Sequence, residues 1–111
     1  MAIEKGAQFE DVSKIAGMVS SDYGVPMSQV APLMQARWDE RDSHPDLIGK
    51  GDRRHGGPRG HIEHLKADIA KRGMRKPVDL SERRGMVVNG NHRVVAAMEL
   101  GLDKIPVRRL P

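Results

Sequence analysis

The sequence predicts a small α+β domain. Two periods of apolar residues alternate along its 111 residues, glycines mark the changes between them, and no segment repeats. A chain of this length builds one core and has no room for a second catalytic lobe.

Residues 9–20 read as an amphipathic helix, with Val12, Ile15, Ala16 and Val19 on one face and Glu10 and Asp11 at its N-terminus. This helix forms an N-terminal extension over residues 1–24 that packs on the sheet, on a second subunit or on another protein partner. Ser-Ser-Asp-Tyr-Gly at 20–24 breaks it. Residues 25–30, VPMSQV, read as a short strand that Pro26 confines to an edge or to its first positions. From Ala31 to Arg41 the period is ambiguous. Leu33, Met34 and Trp38 fit a short helix with Pro32 in its first turn, and they fit a loop as well. Trp38 then plugs the core beneath the loop at 42–60.

Residues 42–60 hold five glycines and two prolines, which give turns rather than a packed element. This long basic loop carries Lys50, Arg53, Arg54 and Arg59, and reads as a mobile nucleic-acid-binding arm or as a solvated linker. Residues 61–72 form a second helix through Ile62, Leu65 and Ile69, stopped by Gly73. Pro77–Leu80 and Met86–Val88 are strands joined by the polar turn at 81–85. Asn89-Gly90-Asn91 breaks the chain again, residues 92–100 form a third helix with Val94, Val95 and Met98 inward, and Ile105–Leu110 is the last strand.

Composition narrows the function. Without cysteine, thiolate zinc sites, cysteine nucleophiles, iron–sulfur clusters and disulfide scaffolds are excluded. Phe9, Tyr23 and Trp38 are the only aromatics, too few for a platform that stacks several bases. No apolar run approaches a membrane span, and the N-terminal residues show no signal-peptide core, so a reducing compartment, most simply the cytoplasm, is expected. The net charge is +4, but residues 1–48 carry −4 and residues 49–111 carry +8. The basic half points to a polyanion, nucleic acid or nucleotide.

The most informative segment is residues 87–97, VVNGNHRVVAA: a strand, a tight glycine turn, then a helix. Such a helix start presents unpaired N–H groups and a partial positive charge to an anion. Arg93 adds a bidentate donor suited to phosphate, Asn91 is placed to cap the helix, and His92 is placed to bind phosphate or move a proton.

In sequence, Gly73-Met-Arg75-Lys76-Pro77, the 81–85 turn, Gly90-Asn-His-Arg93, the alanine-bearing helix ending at Gly101 and Ile105-Pro-Val resemble the N-terminal domain of the ParB family. That domain shares its fold with sulfiredoxin. Upstream, Val25–Val30 resembles the family's first strand, and Gln35-Ala-Arg37 its "Q-P-R" step. The resemblance implies a ParB/sulfiredoxin-like domain over 25–111 that binds the phosphates of a nucleotide, CTP or ATP, with magnesium, or those of DNA. Carried over, the nucleotide-binding positions are Arg37, Gly73, Arg75, Lys76, Pro77, Gly90, Asn91 and Arg93, with His92 and Asn91 as catalytic candidates. It implies a stand-alone domain of the kind often labelled a ParB-like nuclease, frequently phage- or plasmid-encoded, without the helix-turn-helix of partition proteins. Asn91 stands where the family carries an acid, which weakens the magnesium-assisted route, and the lack of cysteine removes sulfiredoxin chemistry. A non-catalytic DNA-binding or regulatory module is the alternative, and a kinase-like phosphotransferase the weakest reading. His61-x-x-His64, with Glu63 or His55 nearby, lacks a fourth ligand fixed by spacing and reads as surface histidines, so no metal site is expected there.

Overall fold

Residues 8–111 are described by a computed structural model. Among them a mixed five-stranded sheet carries five α-helices, an α+β architecture. In chain order these are β1 (Gln8–Asp11), α1 (Val12–Ala16), β2 (Val19–Ser20), α2 (Val30–Asp39), α3 (Lys50–Arg54), α4 (Pro58–Arg72), β3 (Val78–Ser81), β4 (Met86–Asn89), α5 (Asn91–Leu100) and β5 (Lys104–Arg109). The sheet order is β1-β5-β3-β4-β2. β3 and β4 form the expected antiparallel hairpin, β5 joins β3 in parallel, and β1 and β2 add to the two edges. No helix of the described residues is long and apolar enough to cross a membrane.

Four expectations change. The N-terminal extension is not a helix set beside the domain: its first seven residues, Lys5 included, lie outside the described residues, and the rest belongs to the sheet. Only Val12–Ala16 is helical. Gln8–Asp11 pairs with β5, and Val19–Ser20 pairs in parallel with Met86 and Val87 of β4. Non-local ladder bonds outweigh the local 3.6-residue period here, which in any case spans Gly17. The period still marks Val12 and Ile15, both buried.

Residues 25–30 are not a strand. Val19 and Pro26 make one isolated bridge, after which Met27–Gln29 turn as a short 3-10 helix into α2. Met27, Val30 and Met34 lie three and four residues apart and are buried, so helical spacing decides the segment, including the ambiguous stretch after Ala31.

Residues 42–60 are not a mobile arm. Pro45–Leu47 form a 3-10 turn, α3 follows, and α4 starts at Pro58, three residues earlier than expected. Gly56 and Gly57 take positive φ at the link between the helices. The anchor of this stretch is the carboxylate of Asp52, 2 % exposed, so apolar periodicity gives no sign of it. Finally, Trp38 is half-buried outside the core and lies against Gly57, where a Cβ would approach its Nε1 to 3.2 Å.

Helix α5 is central to the packing. Val94, Val95, Ala96 and Ala97 are buried, with α4 on one side and α1 and the Met27–Gln29 turn on others. Gly73 and Gly101 end α4 and α5 with positive φ, as expected of C-terminal glycines.

Candidate functional site

The first turn of α5 organises the site. Gly90 precedes it at φ 98° and ψ 25°, a left-handed conformation that lets β4 turn directly into the helix. A Cβ at Gly90 would lie 3.1 Å from both Val78 Cγ2 and Arg93 Nη2, so space and backbone both demand glycine. The next three side chains leave the helix about 100° apart and reach three different neighbourhoods.

Asn91 turns toward β2. Its Oδ1 accepts from Ser20 Oγ at 2.6 Å and its Nδ2 donates to Asp22 Oδ2 at 3.2 Å. It is therefore not the expected cap: Gly90 holds that position, and no side chain caps α5. Asn91 is 5 % exposed, with both polar ends engaged. Arg37 belongs to the same neighbourhood, donating to the Asp22 carbonyl at 3.3 Å with its guanidinium 4.5 Å over the Tyr23 ring. It does not line the cleft that holds Arg93.

His92 turns toward α3 and α4. Its Nε2 lies 2.9 Å from Asp52 Oδ1, and His61 Nδ1 lies 2.9 Å from the same oxygen. Burial pushes the Asp52 carboxyl up, but the two imidazoles overcome this and hold it well below the usual carboxylate range. The His61 and His92 rings are 4.3 Å apart, and His55 stacks on His61 at 5.7 Å and on His64 at 4.3 Å. A Cβ at Gly51 would fall on the His61 ring, so that glycine is what lets the imidazole lie against α3.

Arg93 turns the third way. Its Nη1 donates to the carbonyls of Lys76 (2.8 Å) and Pro77 (3.0 Å), and burial lowers its pKa. It lines a cleft of about 520 Å³ together with Gly73, Arg75 and Lys76, and with Leu65 and Ile69 as apolar lining. The cleft's carboxylate, Asp68, is paired with Arg72 at 3.3 Å and Arg75 at 3.8 Å. The structure thus gathers Gly73, Arg75, Lys76 and Arg93 in one place, with Pro77 and Gly90 shaping it. Their donors fit a phosphate. They do not fit magnesium, which asks for free carboxylate oxygens: Asp68 is held by arginines and position 91 carries an engaged amide.

Of the four basic residues expected to meet nucleic acid, Lys50, Arg53 and Arg54 are exposed on α3 around Asp52. Arg59 is on α4 and is bound to Glu63 and Glu99. Asp52 is the residue that sequence reasoning missed. The available sign was a single acid inside the basic run Lys50–Arg54.

The chain matches no protein-family model, and no curated protein or solved structure at a significant level.

Proposed function

We propose that this chain is a ParB-like domain that binds the phosphates of a nucleotide in the cleft before α5. The observation that carries the reading is the meeting of Arg75, Lys76 and Arg93 with Gly73 in one cleft. Its size suits a mononucleotide, and its mixed lining offers cations for phosphate and Leu65 and Ile69 for the apolar parts of the ligand. Arg93 keeps Nε and Nη2 without a protein partner among the described residues, so the ligand would meet donors already positioned by the Nη1 bonds.

DNA is the second reading, favoured by the exposed Lys50, Arg53 and Arg54 on α3, which Asp52 ties to the same helix start. Hydrolysis of either ligand has no support from Asn91, so CTP and ATP enter here as ligands to be bound.

A thermal-shift series with CTP, ATP and inorganic phosphate, run in chelator, tests the reading. The nucleotides should raise the melting temperature, and Arg75→Ala combined with Lys76→Ala should lower their affinity at least about tenfold, equal to about 1.4 kcal/mol. If duplex DNA alone binds, with an affinity that falls steeply with salt, the second reading replaces the first. Absence of both effects removes the phosphate reading.

A further inference from the structure

Asp52, His61 and His92 come from three helices and bring one ligand atom each into a small group. Asp52 Oδ1, His61 Nδ1 and His92 Nε2 all lie within 4.8 Å of one another. We propose that these three residues form a binding site for one divalent transition-metal ion of the zinc type. The inference goes beyond the phosphate reading and stands without it.

The competing explanation is a purely structural His–Asp–His hydrogen-bonded group. In that group each imidazole would donate along its N–H axis to the carboxylate. His61 does so. His92 does not: its Nε2 is buried and has no aligned hydrogen-bond partner, although Asp52 Oδ1 is only 2.9 Å away. Short distance and missing alignment are compatible when the oxygen lies off the axis of the ring nitrogen. A buried polar atom left in this state calls for a reason. A cation between the rings supplies one, since it accepts both nitrogen lone pairs and the carboxylate together.

The donor set selects the ion. Two imidazoles and one carboxylate suit zinc, cobalt or nickel, whereas magnesium and calcium take oxygen ligands. Metal–ligand bonds of about 2.1 Å put tetrahedral ligand atoms about 3.4 Å apart, so the 2.9 Å contacts to Asp52 Oδ1 need to open by about half an ångström, and the two ring nitrogens already lie within 4.8 Å of each other. Three protein ligands leave a further position for a water or another ligand. His55 and His64 extend the stack but contribute no ligand atom to the group.

The test uses the full chain, stripped with chelator and free of nucleotide, titrated with Co(II) and then competed with Zn(II). One equivalent of Co(II) should develop visible absorption, and Zn(II) should bleach it. His61→Ala and His92→Ala should each weaken binding at least tenfold, whereas His64→Ala should leave it unchanged; circular dichroism of the metal-free variants monitors the fold. On the unmutated chain, imidazole nitrogen resonances supply a readout that no folding defect disturbs: His61 Nδ1 and His92 Nε2 should move with Zn(II), and those of His44 should not. Lack of stoichiometric binding overturns the proposal. So does binding that survives loss of both His61 and His92, or that follows His64. Because no nucleotide is present, failure here leaves the phosphate reading intact, and failure of nucleotide binding leaves this one.

Discussion

Position 91 shows how one amide limits the chemistry around it. Asn91 is buried, accepts from Ser20 and donates to Asp22. An aspartate there would set a buried carboxylate against that of Asp22, which the Asn91 amide now meets at 3.2 Å. Asn91→Asp should therefore destabilise the fold by about 1–3 kcal/mol at pH 7, read as a lower melting temperature. The loss should shrink in the double variant with Asp22→Asn; a double variant no better than the single would show that the Asp22 contact is not the cause. Residues with local signatures were legible from the sequence. Gly90 and Arg93 stand out because a strand–glycine–helix turn has a recognisable spacing, and Gly73, Arg75 and Lys76 because Gly73 to Pro77 resembles a G-x-x-x-P step. Asp52 was not legible, since its partners are 9 residues away at His61 and on a different helix at His92. A carboxylate in a basic run looks like a solvated charge until tertiary structure buries it.

Helices α4 and α5 are held together at their outer edge by an ionic group. Arg59 donates to Glu63 and Glu99, and Lys66 lies 3.2 Å from Glu99. The Arg59 bond, followed by Lys66, lowers the Glu99 pKa below its ordinary 4.5. A carboxyl depressed on folding stabilises the protein above its unfolded pKa and loses that contribution as pH falls through the folded one. The melting-temperature advantage of the native chain over Glu99→Gln should accordingly persist from pH 7 to about pH 5 and fade toward pH 3. An advantage independent of pH would assign it to packing instead. The same group accounts for Arg59, which reads as a nucleic-acid contact in sequence because its carboxylates at positions 63 and 99 approach only after folding. Elements with their own stop signals, α4, α5 and the β3–β4 hairpin, were readable to within a few residues. Those defined by distant partners, β1, β2 and α3, were not.

Across the whole molecule, the division of charge between the two halves is partly cancelled by the sheet. Arg109 bonds Gln8, Glu10 and Glu82, and Lys104 lies 3.0 Å from Asp11, so the acidic half neutralises basic residues of the other. The basic residues of α3, Lys50, Arg53 and Arg54, and those of the cleft are not consumed in this way. The N-terminal segment is equally structural. Ile15, 0 % exposed on α1, sits in the common core, and Ile15→Ala should cost about 2–5 kcal/mol in denaturant unfolding. A cost near zero would show that α1 does not share the common core. The pairing of β1 with β5 also sets an order of events during synthesis. The bond between Gln8 and Arg109 spans 101 residues, so β1 waits for β5 to be made before it can join the sheet. Closing so long a loop is entropically unfavourable and slow. The β3–β4 hairpin, closed through the short turn at residues 82–85, can form on the nascent chain well before then. The N-terminal strand would thus be the final piece to dock, and until it does the β5 edge stays open to pairing with other chains.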